Sequence, residues 1–145
     1  MTSLSQLHVE DVSVGSVMPS LTIAPTSIAL FRFSAVTWNS HRIHFDESYA
    51  NLEGYPGVLV QSHLFGSWLV RLINNWGGPR SEIQEFSWQN RHYASPGDIL
   101  ACTGIVVSTK EDLVECQLQI VNQDGQECSP GRALVKLPRR KLQLL

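Results

Sequence analysis

The longest apolar run of the sequence, residues 58–75, constrains the fold more than any other feature. It is long enough for one helix and is apolar on nearly every side, which predicts that the helix is buried. Two glycines and a proline follow in the stretch WGGP, residues 76–79, as is typical where a helix ends. Polar residues interrupt the run at Gln61, Ser62, His63 and Arg71. The run is also too short to span a bilayer comfortably, so a buried core helix is the better interpretation.

Four β-branched or alternating segments follow the apolar run and predict strands. They are residues 83–93, 99–108, 113–122 and 133–137, separated by the turn sequences SPGD, TKED and NQDG. Residues 1–27 predict an irregular lead-in with a short strand, and residues 28–36 predict a further strand. One buried helix with antiparallel strands is an α+β architecture. Such a layer leaves sheet edges and one face uncovered, which favours dimerisation.

Composition and charge narrow the functional class. The chain has 145 residues, 43% hydrophobic and 17% charged, which predicts one globular domain, residues 1–145, with a real core. The formal charge of −2 and the pI near 6.2 give no electrostatic reason to expect nucleic acid or an anionic membrane as a partner. The first residues lack the basic start and apolar core of a signal peptide. Three widely spaced cysteines match neither a disulfide framework nor a zinc motif. We therefore expect a cytoplasmic protein without a metal.

The segment SAVTWNSHRIHFDESYA, residues 34–50, gathers many hydrogen-bonding side chains directly after an apolar stretch. His41 and His44 lie three positions apart within it, together with Asn39, Arg42 and Asp46. The segment is either a polar surface loop or a site where protons are moved. Histidine suits the second interpretation because its ordinary pKa lies near neutrality.

Four stretches, taken together and in this order, resemble the MaoC-like hydratases and dehydratases. They are NSHRIHFD with the following YA (39–50), EGYPG (53–57), YASPGDIL (93–100), and NQDG (122–125) with GRALV (131–135). The resemblance covers residues 31–137 and implies a single hot-dog domain, in which an antiparallel sheet wraps around one long central helix. The combination of HRIHFD with EGYPG is similar to one branch of the family. That branch contains fungal-type fatty-acid-synthase dehydratase domains and mesaconyl-CoA hydratases.

The resemblance implies a hydro-lyase that adds water to, or removes it from, an acyl thioester of coenzyme A or acyl carrier protein. No metal or organic cofactor is implied. His44 takes the acid–base role. Backbone N–H groups at the start of the buried helix, around Gln61 and Ser62, bind the thioester oxyanion with the help of the helix dipole. Gly57, the last residue of EGYPG, is expected among the substrate-binding residues.

Two positions depart from the family pattern. The better-known hydratases carry an Asp five residues before the histidine, where this chain has Asn39, and an amide cannot exchange a proton as a carboxylate does. The branch commonly has Asn there, so Asn39 either holds water for His44 or marks a site that has lost its chemistry. After EGYPG the branch usually reads VVHGP, whereas this chain has VQSH at 60–63. Ser62 keeps a backbone N–H, but its side chain narrows an approach that glycine leaves open.

The other polar candidates each have two interpretations. His41 orients the substrate or the catalytic histidine, or it is an exposed loop residue without a role. Arg42 binds an acyl carboxylate or a phosphate, or, as we favour, it pairs with an acid such as Asp46 or Glu53 and fixes the loop. His92 is expected to be structural, on the predicted strand 83–93.

Three functions remain open at this point. The first is the enoyl-thioester hydratase or 3-hydroxyacyl-thioester dehydratase described above. The second is a non-catalytic partner subunit of a heteromeric hydratase. The third and least favoured is a thioesterase, because the matched segment offers no carboxylate that would activate water at the carbonyl. The branch often carries two hot-dog units in one chain and this sequence has one, so we expect a homodimer or a hetero-oligomer of hot-dog units.

Overall fold

The computed structural model describes residues 5–141. Its helices are α1 (Ser27–Thr37), α2 (Glu47–Leu52) and α3 (Ser62–Gly77). Its strands are β1 (Leu21–Ile23), β2 (Glu82–Trp88), β3 (Leu100–Lys110), β4 (Leu113–Val121) and β5 (Glu127–Lys136). Short 3-10 helices lie at Val9–Asp11 and Arg42–His44.

The five strands form one antiparallel sheet in the order β1-β3-β4-β5-β2. Two of the predicted turn sequences close its hairpins: TKED joins β3 to β4, and NQDG joins β4 to β5. The α+β prediction is therefore confirmed, with its four main strands and the short strand of the lead-in. Strand β5 begins at Glu127, six residues before the start of the predicted segment 133–137. Strand β2 ends at Trp88, five residues before the end of the predicted segment 83–93.

Helix α3 packs one face into the core against the sheet. That face carries Leu64, Phe65, Leu69, Leu72 and Ile73, each at most 8% exposed. The prediction that this helix is apolar on nearly every side is wrong, because Ser67, Arg71 and Asn74 are exposed. These three residues lie three or four positions apart, so they form one solvent-facing stripe.

The segment predicted as a strand at 28–36 is helix α1, and this prediction is wrong. The helix begins after Thr26, whose side-chain oxygen accepts a hydrogen bond from the Ala29 backbone N–H at 3.1 Å, as an N-cap residue does. Only Leu30 and Ser34 are buried along α1. They lie four residues apart and therefore on one helical face. Of the remaining apolar side chains, Phe33 is half-buried and packs against the core, whereas Ile28, Phe31 and Val36 are exposed. This mixture gives a strand-like pattern.

No helix within residues 5–141 is both long and apolar enough to cross a membrane.

Candidate active site

His44 lies at the end of the 3-10 helix Arg42–His44 and is 8% exposed. Its Nδ1 lies 2.7 Å from the backbone oxygen of Leu59. A carbonyl oxygen can only accept, so Nδ1 carries the proton and donates it. The neutral ring therefore has its unprotonated nitrogen at Nε2, which is the nitrogen that can take a proton. Among the described residues, Nε2 has no hydrogen-bond partner.

The surroundings of His44 favour its neutral form. Burial lowers the pKa of His44 below the ordinary 6.5, because a charged ring loses hydration there. The hydrogen bond to the Leu59 carbonyl acts in the opposite direction and raises the pKa, since it stabilises the protonated ring. The nearby His41 lowers it further. The net lowering keeps a neutral base present at and below neutral pH.

The chain before α3 is fixed to both neighbours of the site. The Leu59 N–H donates to the Ile43 oxygen at 2.9 Å, and the Val60 N–H donates to the Ala94 oxygen at 2.8 Å. The 3-10 helix, the loop before α3 and the loop after β2 therefore hold one another. Because Leu59 also accepts from the His44 ring, this same loop orients the imidazole.

The first turn of α3 presents free donors. The backbone N–H groups of Ser62 and His63 have no acceptor among the described residues, as is usual for the first residues of a 16-residue helix. Trp88, the last residue of β2, donates its ring N–H to the Ser62 oxygen at 3.0 Å and to the Ser62 hydroxyl at 3.2 Å. Its ring also lies against Gly66, where an added Cβ would come within 3.0 Å. Trp88 thus fixes the position of this helix start.

One cavity of about 460 Å³ brings these groups together. Three of the predicted residues line it: Asn39, His44 and Ser62. The lining also includes Ile43, Tyr55, Leu59, Val60, His63, Asn90, Arg91, His92 and Tyr93. The cavity thus collects an imidazole base, an amide and the free end of a helix, and none of the described residues in its lining is a carboxylic acid.

Asn39 is held in the loop after α1. Its side-chain oxygen accepts a hydrogen bond from the His41 backbone N–H at 3.2 Å, which fixes the orientation of the amide. Its Nδ2 has no partner among the described residues. Asn39 therefore offers the cavity a hydrogen-bond donor rather than an acceptor.

Four of the predicted site residues lie outside this cavity. Gln61 is fully buried, and its Nε2 donates to the Leu30 oxygen at 2.7 Å and the Ser34 hydroxyl at 2.8 Å. Gln61 therefore joins the N-cap of α3 to helix α1. Gly57 lines a neighbouring cavity of about 460 Å³, which shares His92 and Tyr93 with the first.

His41 and Arg42 lie on the outer side of the loop. The His41 ring lies edge-on to the His44 ring, with centroids 5.8 Å apart. Arg42 pairs with Asp46 at 2.6 Å and lies over the Tyr49 ring at 4.6 Å. The interpretation that Arg42 pairs with Asp46 is therefore confirmed.

The sequence prediction missed the contribution of the loop after β2. It placed His92 on a strand, but β2 ends at Trp88, so His92 lies in the loop and lines both cavities. His63 interrupts the apolar run and belongs to the departing stretch VQSH, but the sequence predicts no role for it in the site. Its ring packs edge-on against Trp88, with centroids 5.5 Å apart. The polar stretch NRHY at 90–93, directly beyond a strand, was the signal that could have revealed this wall of the site.

The cysteines take no part in the site. Burial raises the pKa of Cys102 and of Cys116 to about 12, and that of Cys128 to about 11. A thiol with such a pKa stays protonated at neutral pH and is a poor nucleophile. Within the described part of the chain, no three His, Cys, Asp or Glu side chains come together in a way that could hold a metal ion.

The model of one protein family, the hydroxyacyl-thioester dehydratase type 2 family, matches residues 9–96, which is more than half of the chain. The chain belongs to this family. The matched region contains every residue of the candidate site. The resemblance to MaoC-like hydratases and dehydratases is thereby confirmed.

A curated relative of this chain is the mesaconyl-C(4)-CoA hydratase of Chloroflexus aurantiacus. It is 50% identical over 55 residues, which is 37% of this chain and 20% of the relative. The chain thus matches only about a fifth of that protein's length.

Solved structures show the hot-dog fold. The R-hydratase PhaJ1 of Pseudomonas aeruginosa matches with a TM-score of 0.84 at 21% identity, over 92% of this chain and 86% of that one. The ChsH1-ChsH2 complex of Mycobacterium tuberculosis provides a chain that matches with a TM-score of 0.81 at 18% identity, over 86% and 98%. The predicted hot-dog fold is therefore confirmed. By its name, the second structure is a complex of two different chains.

Proposed function

We propose that the protein is a hydro-lyase that adds water to an α,β-unsaturated acyl thioester, or removes it from the 3-hydroxy acyl thioester. The observation that carries this proposal is the state of His44. Its Nδ1 is committed to the Leu59 oxygen, so its basic Nε2 is free, in the same cavity as Asn39 and the first turn of α3. Base, water-holding amide and oxyanion donors are what such a reaction requires.

In the hydration direction, the water oxygen forms a bond to the β-carbon while His44 Nε2 takes the water proton. The electron pair of the carbon–carbon double bond moves toward the thioester carbonyl and gives an enolate. The N–H groups of Ser62 and His63 stabilise its negative oxygen, aided by the positive end of the α3 dipole. The His44 imidazolium then returns a proton to the α-carbon, which restores the neutral ring. Dehydration is the reverse sequence.

Asn39 holds the water in this scheme. Its free Nδ2 donates to the water oxygen, which leaves a water proton for His44. His44 is then the sole acid–base residue, and no carboxylate is required. The chemistry transfers only protons and water, so it calls for no redox or group-transfer cofactor. Coenzyme A or acyl carrier protein enters as part of the substrate.

The surface next to the site is consistent with roles for the remaining candidates. Arg42 fixes the loop through Asp46, and His41 acts on the proton affinity of His44 across 5.8 Å. Gly57 lines the neighbouring cavity. His92 and Tyr93 line both that cavity and the His44 cavity, so we propose that the carrier enters from the side of Gly57. We propose that the protein works as a homodimer or hetero-oligomer of hot-dog units.

A partner subunit without catalysis of its own is the second candidate. The observation that favours it is the match to a chain of the ChsH1-ChsH2 complex, together with a match to only a fifth of the mesaconyl-C(4)-CoA hydratase. The native mass of the purified protein separates the two proposals. A stable homodimer with activity supports the enzyme, whereas an inactive chain that gains activity only with a second chain supports the partner subunit.

The experiment that tests the function is a panel of trans-2-enoyl thioesters on coenzyme A and on acyl carrier protein. Hydration removes the conjugated double bond, so the ultraviolet absorbance of the enoyl thioester falls. We expect turnover with at least one carrier, and the acyl group with the highest kcat/KM defines the substrate. If absorbance is unchanged for every substrate with well-folded protein, the proposal that this chain alone is an enzyme is wrong.

A further inference from the structure

An apolar groove shares a lining residue with the His44 cavity. Its volume is about 380 Å³, and it is lined by Phe31, Ser34, Ala35, Trp38, Asn39, Ser40 and Phe45. Asn39 lines both the groove and the cavity. A molecule whose reacting atoms lie beside Asn39 is therefore next to both spaces.

Trp38 forms a wall of this groove in a strained backbone conformation. It ends α1 with φ 54° and ψ 30°, in the left-handed region. Glycine is the usual residue at this position of a helix end, because the Cβ of most other residues is crowded by the backbone there. The other non-glycine residue with positive φ in the described chain is Glu111, a polar residue in the turn between β3 and β4.

The Trp38 side chain gains no packing that would offset this strain. It is 93% exposed, and its groove neighbours Phe31 and Phe45 are 60% and 42% exposed. Residues held in sparsely populated backbone regions cluster at active sites and ligand-binding sites. Exposed aromatic rings grouped around a groove also indicate a binding site.

The groove favours hydrocarbon over charge. None of the seven residues that line it is cationic, so a carboxylate inside it would lack a partner. The neighbouring cation Arg42 already pairs with Asp46. An apolar chain, by contrast, gains free energy when it leaves water for such a surface.

We propose that this groove binds the hydrocarbon chain of the acyl thioester, so that the substrate class is apolar acyl groups rather than acyl groups that end in a carboxylate. This inference rests on the proposed function for the location of the thioester. Trp38, Ala35 and Phe31 are then specificity-determining residues. Each methylene that enters the groove should raise affinity about fourfold, up to the length that the groove holds.

Binding of saturated acyl-CoA thioesters tests the groove without any turnover. Butyryl-, hexanoyl-, octanoyl- and decanoyl-CoA are titrated by calorimetry into wild type, Ala35→Phe and Val36→Phe. Ala35→Phe fills the groove, whereas Val36 lies on the same helix, is 76% exposed and does not line the groove. We expect affinity to rise with chain length in wild type and in Val36→Phe, and the decanoyl-to-butyryl ratio to fall toward one in Ala35→Phe. Succinyl-CoA should bind no better than butyryl-CoA.

Trp38→Gly provides a second variant whose effect on folding is opposite to its effect on binding. Glycine relieves the left-handed strain, so the Tm should stay the same or rise, while the dependence of affinity on chain length should weaken. A chain-length dependence unchanged by both Ala35→Phe and Trp38→Gly would overturn the proposal, as would tighter binding of succinyl-CoA than of butyryl-CoA. Conversion of a dimer to a monomer by Ala35→Phe would also overturn it, since the groove would then be a subunit interface. If graded binding is found but no enoyl thioester turns over, the groove proposal stands and the proposed function fails.

Discussion

The His44 cavity and the Trp38 groove are neighbouring spaces with contrasting chemistry. The cavity is lined by three of the chain's five histidines, two asparagines and an arginine, whereas the groove is lined mainly by aromatic and small residues. Both are walled by the short stretch from α1 to the 3-10 helix, and they share Asn39. Under the two proposals, the loop carries out the reaction and the outer face of the helix before it selects the acyl group. Variants in this stretch should therefore separate rate from selectivity.

The largest expected effect belongs to the cavity alone. His44→Ala removes the only proposed acid–base group, so kcat should fall about 10²–10⁴-fold, by the same factor for short and long acyl chains. His8→Ala is the matched control, because His8 lies beside Asp11 and Arg80 and away from the cavity. Steady-state kinetics with circular dichroism as a folding check measure the effect. Full activity in well-folded His44→Ala would remove this residue from the mechanism.

Gln61 joins the two regions, so its loss should affect both. Gln61→Ala removes two buried hydrogen bonds and leaves the Ser34 hydroxyl without this partner. We expect the free energy of unfolding to fall by about 1–3 kcal/mol, with a lower kcat and a weaker preference for long chains. Urea denaturation measures the stability. The exposed Gln84→Ala should change it by less than about 0.5 kcal/mol, and an equally small change in Gln61→Ala would show that this link is not structural.

Asn39 is the shared residue, and its replacement sharpens the comparison. Asn39→Asp restores the carboxylate of the wider family, so kcat for a short acyl chain should be preserved or raised. The same negative charge at the mouth of the apolar groove should reduce the preference for long chains. Rates with the trans-2-butenoyl and trans-2-decenoyl thioesters measure both effects. A fall of more than about 10-fold for the short chain, or ~1.4 kcal/mol, would show that the amide N–H, which Asp lacks, is needed and that a carboxylate cannot replace it.

The smallest effect concerns pH and the cavity alone. The pKa of His44 is lowered by burial, so the folded protein holds the ring neutral below pH 6.5. A base must be neutral, so kcat/KM should hold through pH 6.5 and fall only as the pH drops through the lowered pKa. The same shift means that the contribution of His44 to the free energy of unfolding is complete above pH 6.5 and declines as the pH falls below it.

His41→Ala removes one cause of the lowered pKa of His44, so the acid limb of the kcat/KM profile should move to higher pH. A limb unchanged in His41→Ala, or one above 6.5 in wild type, would contradict this description of the site.

The sheet and α3 could be predicted from sequence because their signals are local. Alternating residues and turns such as NQDG specify β4 and β5, and the run 58–75 contains α3 with its glycine-rich end. Helix α1 could not be predicted, because Ile28, Phe31 and Val36 are 60–76% exposed. Apolar side chains that avoid the core break the helical periodicity that would have revealed the helix.

The site was predictable where one segment contains its residues, and not where several segments meet. His44 and Asn39 lie in the same loop, so one motif indicated both. Gln61 lies in the stretch VQSH that departs from the family pattern, and its burial against Leu30 and Ser34 depends on how α1 packs on α3. His92 enters the site because β2 stops at Trp88, and a strand's last residue is set by its pairing with β5 rather than by its own sequence.

Incubation with the preferred enoyl thioester in ¹⁸O-labelled water tests the central claim most directly. The proposed reaction forms a bond between the water oxygen and the β-carbon, so mass spectrometry should find one heavy oxygen in the 3-hydroxy group of an intact thioester. His44→Ala should form this product about 10²–10⁴-fold more slowly. Heavy oxygen in a free carboxylic acid, with release of the thiol, would contradict the account because it would mean hydrolysis of the thioester. No labelled product from a stable, folded wild-type dimer would contradict it as well.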